Sequence, residues 1–226
     1  MKDQKGSQGM RYKHILFDLD GTIMDSMEGV IASVLYAYDG LGLPHPPVSQ
    51  HREFVGPPLH ESFPAHGIPQ ELVWTAIGLY RERYNTTGKY EGHPYPGIPG
   101  LLHDLQAAGL PLYVATSKPE ELSIDILTHF NLARYFTRIA GATEDASRAD
   151  KEAVLRYLLS DMTDAERDDC VLIGDTIYDV EGAATVGLPC IGVTWGCGDP
   201  AQMSAGGAVC LVDDTIALKK LLLQAS

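Results

Sequence analysis

Short apolar runs at Pro111 to Ala115, Arg138 to Ala140, Val171 to Ile173 and Cys190 to Val193 alternate with segments of helical period. In those segments Leu101, Leu102, Leu105 and Ala108 share one face and are closed by Gly109, while Leu122, Ile126 and Phe130 share another. A further apolar run, Ile15-Leu16-Phe17, stands near the start. Strand and helix in alternation predict an α/β fold, a parallel sheet covered by helices on both faces. In such sheets ligands bind beyond the carboxyl ends of the strands.

Residues 25–95 break this rhythm. They offer helical patterns at Val30 to Tyr38 and Glu71 to Tyr84, separated by Pro-rich turns, and no convincing strand. The reading is a small helical domain inserted into a core made of residues 11–24 and 96–226, with residues 1–10 a disordered polar tail. Segments near Met24 to Ser26 and Gly92 to Gly97 are the expected hinges.

The 226 residues suffice for one good core with a satellite domain, and 45% hydrophobic with 21% charged residues fits an ordinary globule. A formal charge of -13 argues against nucleic-acid polymers and anionic membrane surfaces, which require basic patches. An anionic substrate would need local positive charge, from a metal ion or a few lysines. Cys170, Cys190, Cys197 and Cys210 lack CxxC spacing and sit among apolar or small residues, as reduced thiols do, so a cytoplasmic setting is expected. No apolar run approaches the length of a spanning helix.

The chemistry gathers at strand ends. Asp18-Leu19-Asp20-Gly21-Thr22 follows Ile15-Leu16-Phe17, so two carboxylates one residue apart leave the strand on the same side. The glycine just beyond lets the backbone fold away and expose them. Crowded acids raise one another's proton affinity, which reads as a nucleophile beside an acid. Thr116-Ser117-Lys118 ends the strand beginning near Leu112, Gly174-Asp175 ends Val171 to Ile173, and Asp179 stands one turn into the next helix. Lys151 opens a helix after the polar segment Thr143 to Asp150. Taken singly these residues have ordinary readings: Asp175, Asp179 and Thr116 as helix caps, and Lys118 or Lys151 on a solvated face. Two adjacent carboxylates at a buried strand end are costly without a purpose.

The ordered set resembles the haloacid dehalogenase-like superfamily, whose pattern is DxDGT, a hydroxyl residue after a strand, a lone Lys and GDxxxD. The resemblance implies a Rossmann-like core, a helical C1 cap over residues 25–95, and a Mg²⁺-dependent phosphatase. Within the superfamily Val55-Gly56-Pro57-Pro58-Leu59, Tyr95-Pro96-Gly97, Ala115-Thr116-Ser117-Lys118-Pro119, Gly174-Asp175 and Gly196-Cys197-Gly198 are most similar to the phosphoglycolate phosphatase and 5′-nucleotidase-like branch. It implies that Asp18 attacks phosphorus, Asp20 shuttles the proton, Thr116 donates to a phosphoryl oxygen and Lys151 neutralises charge. It also implies that Mg²⁺ lies between the Asp18 carboxylate, the Asp20 carbonyl, Asp175 and Asp179. Gly21, Thr22, Ser117, Gly56 and Arg52 are the expected substrate contacts, and the substrate a small phosphorylated metabolite acted on by a monomer or homodimer.

Lys118 competes with Lys151 for the phosphate role, with a substrate or surface contact as its other reading. Arg148 is expected at the surface, the histidines in surface or turn positions, and Tyr36, Tyr38, Tyr80 and Tyr84 packed within the cap. A dehalogenase would leave Asp20 idle. A phosphomutase would keep it and stays open as the alternative; a receiver-type phospho-Asp signalling protein is further off, because receivers carry no cap. Thr176 after the GD pair, Glu152 after Lys151 and Cys197 between two glycines depart from the branch and bear on the identity of the substrate.

Overall fold

The structure, a computed structural model, describes residues 12–143, 145 and 147–224. The tail expected over residues 1–10 lies outside them. Among the described residues the strands are β1 (His14–Phe17), β2 (Met24–Asp25), β3 (His93–Pro94), β4 (Leu112–Pro119), β5 (Arg138–Ala142), β6 (Cys170–Gly174), β7 (Cys190–Val193) and β8 (Cys210–Val212). The α-helices are α1 (Met27–Leu41), α2 (Leu59–Ala65), α3 (Val73–Tyr84), α4 (Ile98–Ala107), α5 (Glu120–His129), α6 (Lys151–Leu159), α7 (Asp164–Asp168), α8 (Ile177–Thr185), α9 (Pro200–Gly206) and α10 (Thr215–Leu223).

Six strands build one parallel sheet in the order β5-β4-β1-β6-β7-β8, a Rossmann-like α/β fold. Its strands read as continuous apolar runs because both faces are covered. Alternate side chains along each strand go to opposite layers. Ile15 and Phe17 belong to one apolar layer with Leu101 and Leu105 of α4, Ile126 of α5 and Leu218 of α10, whereas Leu16 belongs to the other with Leu155 of α6, Val180 of α8 and Met203 of α9. The edge strand β8 escapes a reading by pattern, since Cys210-Leu211-Val212 is short and only partly buried.

Register then sets the site. Phe17 pairs with Val114 on one side and with Ile173 on the other. The residues that follow in the three central strands therefore emerge at one edge.

The helical segment between β2 and β3 has its own apolar cluster, with Val34 and Tyr38 of α1, Phe63 of α2 and Ala76, Ile77, Tyr80 and Tyr84 of α3. Where no strand was expected, β2 and β3 form a two-residue antiparallel ribbon, Met24 opposite Pro94 and Asp25 opposite His93. Two residues are too few to show a period of two. Tyr38, Tyr80 and Tyr84 pack inside this cluster as expected, while Tyr36 lies outside on the surface against Glu82. His66 takes a turn position after α2, with its side chain 7% exposed and its ring tilted against Phe54.

Leu16 is fully buried at the centre of the sheet, whereas Ile216 is 77% exposed. Leu16→Ala is expected to lower the unfolding free energy by about 2–5 kcal/mol, and Ile216→Ala by less than about 0.5 kcal/mol, measured by urea denaturation.

Candidate active site

The chain leaves β1 through a tight turn. The Leu19 carbonyl accepts from the N–H groups of Ile23 and Met24, both at 2.9 Å, and the Gly21 N–H donates to the Met24 carbonyl at 2.8 Å. Gly21 takes φ +82°, a left-handed conformation open to glycine at little cost. Leu19 and Ile23 are fully buried and anchor the turn, so the carboxyls of Asp18 and Asp20 are held by packed backbone.

Lys151 crosses from the start of α6, where Asp150 caps the helix by accepting from the Ala153 N–H at 2.8 Å. Its ammonium lies 2.6 Å from Asp18 Oδ1 and 2.8 Å from Asp179 Oδ1, and donates to the Ala115 carbonyl at 2.9 Å. Of the two lysines, Lys151 is the one that meets Asp18. Burial lowers the Lys151 proton affinity, but Asp179 and Asp18 together outweigh it and hold the group charged.

Asp179 has the helix-cap role of its ordinary reading, and its second oxygen turns to Lys151. Oδ2 closes a capping box on Thr176, accepting from its N–H at 3.0 Å and its hydroxyl at 2.8 Å, and Oδ1 faces Lys151. Asp175 is 1% exposed and accepts from the Cys197 N–H at 2.8 Å and the Thr22 hydroxyl at 3.3 Å. It is wedged between two glycines: a Cβ on Gly21 would stand 2.1 Å from Asp175 Oδ2, and one on Gly196 2.2 Å from the same atom. Gly196 was not singled out from sequence as a site residue; only the close approach of its loop to the β6 end gives it a role.

Asp18, Asp175 and Asp179 each offer an oxygen, all within 4.8 Å of one another. One ammonium faces three carboxylates. Burial, with the Asp179 charge against the opposing pull of Lys151, raises Asp18 to about 6. Burial, followed by the charges of Asp179 and Asp18, raises Asp175 to about 8. An all-oxygen donor set with surplus negative charge in a buried position fits a hard divalent cation such as Mg²⁺.

Asp20 stands apart from that cluster. Its Oδ2 makes an ion pair with Lys118 at 2.7 Å, and its Oδ1 is buried with no hydrogen-bond partner among the described residues. Lys118 is therefore neither a surface residue nor a second ligand of Asp18: its side chain is 9% exposed and it also donates to the Tyr84 hydroxyl at 2.8 Å. Thr116 is buried, and its Oγ1 accepts from the Lys118 N–H at 3.2 Å, which leaves its own proton for another acceptor. Ser117 is exposed.

The remaining expected contacts are spread around this centre. The Thr22 side chain is buried and committed to Asp175. Arg52 donates to the Gly196 carbonyl at 2.9 Å, tying the helical segment to the loop after β7, and the open side of Gly56 faces the Thr176 methyl. Arg148 is not a simple surface residue; it donates to the Gly141 carbonyl and to Glu120, both at 2.6 Å, and lies over the Tyr157 ring.

Residues 15–193 match the model of the haloacid dehalogenase-like hydrolase family, and the chain belongs to that family. It is 40% identical to a 5'-nucleotidase of Pseudomonas aeruginosa over 94% of this chain and 96% of the relative. It is 28% identical to phosphoglycolate phosphatase 1 of the same organism over 80% of this chain and 69% of that relative. It is also 40% identical to the tyrosine-protein kinase PtkA of Mycobacterium tuberculosis, over 85% of this chain and 65% of that protein. Among solved structures, a predicted phosphatase from Clostridium acetobutylicum superposes with a TM-score of 0.87 at 40% identity, covering 94% of this chain and 98% of that one. The chain is a phosphatase-type hydrolase of this family. No helix among the described residues is long and apolar enough to cross a membrane.

The raised acids have a consequence for stability. A carboxyl whose folded value exceeds its unfolded value near 4 stabilises fully below about pH 4, and that contribution is lost as pH rises through the folded value. For Asp175 the window runs from about 4 to about 8. In chelator, wild type is expected to lose stability relative to Asp175→Asn across that window, followed by thermal denaturation at stepped pH. A difference independent of pH would contradict the assignment.

Proposed function

We propose that the protein is a Mg²⁺-dependent phosphomonoesterase that hydrolyses a small phosphorylated metabolite, a nucleoside monophosphate or a phosphoglycolate-like ester, through an aspartyl phosphate on Asp18. One observation carries the reading: the first carboxylate after β1 is held by a buried lysine beside a charge-surplus acid cluster, with a second carboxyl, Asp20, held separately from it.

Phosphoryl transfer leaves a protein mainly positioning and charge neutralisation to do. Lys151 fixes Asp18 Oδ1 and brings a permanent positive charge to the nucleophile and to the incoming phosphate. An Asp18 oxygen forms the bond to phosphorus as the bond to the leaving oxygen breaks. That oxygen keeps the electron pair and takes the proton from Asp20. In the second half Asp20 accepts a proton from water, the water oxygen attacks phosphorus, and the Asp18 oxygen leaves with its electron pair. Thr116 keeps a hydroxyl proton free for a phosphoryl oxygen. Asp18, Asp175, Asp179 and the Asp20 carbonyl would hold Mg²⁺, which supplies charge neutralisation of the phosphoryl oxygens.

The leaving group would meet the helical segment, where Arg52 and Gly56 are the nearest candidates for substrate contact. The greater identity and coverage shared with the 5'-nucleotidase favour a nucleoside monophosphate over phosphoglycolate. The kinase name borne by another relative makes a hydroxyl acceptor in place of water the second reading, which shares Asp18 and Asp20.

A phosphate-release panel of nucleoside monophosphates, phosphoglycolate and sugar phosphates, with Mg²⁺ and with chelator, tests the assignment. The expected result is phosphate release dependent on the cation, abolished in Asp18→Asn. Asp20→Asn is expected to lose about 10²- to 10⁴-fold in kcat on alkyl esters. Full activity of Asp18→Asn, or transfer without phosphate release, would overturn the reading.

A further inference from the structure

We propose that Lys118, anchored by Tyr84 of α3, is a positioning residue for Asp20: it occupies Oδ2, confines the exchangeable proton to Oδ1, and ties that arrangement to the seating of the helical segment. The inference rests on the phosphatase reading and goes beyond it, to residues that touch no reacting atom.

The ammonium of Lys118 donates and cannot accept. An oxygen that faces it at 2.7 Å must remain an acceptor, so a proton carried by Asp20 has one place to sit, Oδ1. That atom is buried, with no hydrogen-bond partner among the described residues, and in the proposal it is the one that meets the substrate oxygen when substrate enters. During turnover the O–H bond at Oδ1 breaks as the leaving oxygen takes the proton, and the same atom later receives a proton from water. The Lys118 hydrogen bond to Oδ2 persists through both halves, as an ion pair only while Asp20 is ionised, and prevents the carboxyl from flipping.

A buried ammonium is costly unless paired on more than one side. Here the second side comes from the inserted segment. Lys118 donates to the Tyr84 hydroxyl at 2.8 Å and lies 4.6 Å from the centre of the Tyr84 ring. Tyr84 is 2% exposed and stacks on Tyr80 with ring centres 5.2 Å apart, so the phenol is fixed by the apolar cluster of α1, α2 and α3. Burial raises the Tyr84 phenol above its ordinary value, which keeps it a neutral hydroxyl. Pure packing would need the ring alone. The hydroxyl reaches out of the cluster to β4, and any displacement of α3 from the sheet removes the second partner of the lysine that orients Asp20.

The test is leaving-group dependence. Proton donation matters for an alkyl leaving oxygen and much less for a nitrophenolate, which departs without a proton. With Mg²⁺ present, Lys118→Met is expected to lower kcat about 100-fold on a nucleoside monophosphate and less than about threefold on 4-nitrophenyl phosphate, with KM nearly unchanged. Lys118→Arg should restore part of the loss. Tyr84→Phe, which retains the ring and its packing, should lower the alkyl-to-aryl kcat ratio several-fold and decides the matter if Lys118→Met does not fold. Equal losses on both esters, an effect confined to KM, or an unchanged ratio in Tyr84→Phe would overturn the proposal while leaving the phosphatase reading intact. Absence of phosphate release from every ester by wild type would instead remove the reading on which it rests.

Discussion

Three buried carboxylates share one ammonium at the carboxyl edge of the sheet, and that imbalance governs the rest of the molecule. Asp18, Asp175 and Asp179 present oxygens within 4.8 Å of one another, and Lys151 answers two of them directly. Ordinary proteins neutralise such a group or avoid it. Here it is kept in place by apolar packing beneath, by the glycines that press on Asp175, and by a helix cap that uses half of Asp179. Burial, with the neighbouring carboxylates, raises the proton affinity of Asp18 and Asp175, and the surplus negative charge fits the divalent cation proposed for the site.

The sheet does the placing. Because Phe17 is in register with Val114 and Ile173, residues far apart in sequence leave their strands side by side, and α6 then delivers Lys151 from the face. The inserted helices contribute differently. They form their own apolar cluster and send Arg52 to the loop after β7 and Tyr84 to Lys118. The first contact joins the segment to the loop after β7, and the second reaches Lys118, the partner of Asp20. The proposed proton transfer, and the proposed choice of substrate, would thus both depend on how this small helical unit sits on the core.

Much of this was legible in the sequence, for physical reasons. Continuous apolar strands such as Ile15-Leu16-Phe17 announce a sheet buried on both faces, and carboxylates placed at the ends of such strands announce a site, since burial makes them expensive elsewhere. What escaped detection lacked a local signature. The two-residue strands β2 and β3 are too short for any period, and β8 is too little buried. Lys118, read as a rival of Lys151 for the phosphate, lies against Asp20, and Arg148, read as a surface cation, staples Glu120, Gly141 and Tyr157. Only tertiary contact separates them. The requirement for glycine at position 196 likewise belongs to the approach of two loops, not to either loop alone.

The central claim is covalent, that the Asp18 carboxylate itself becomes phosphorylated during turnover. Acid quenching of the enzyme in mid-reaction, reduction of any acyl phosphate with borohydride, and peptide mass spectrometry test it most directly. The account predicts conversion of residue 18 to homoserine in a substrate-dependent manner. Turnover with residue 18 recovered intact, or reduction at a different carboxyl, would contradict it.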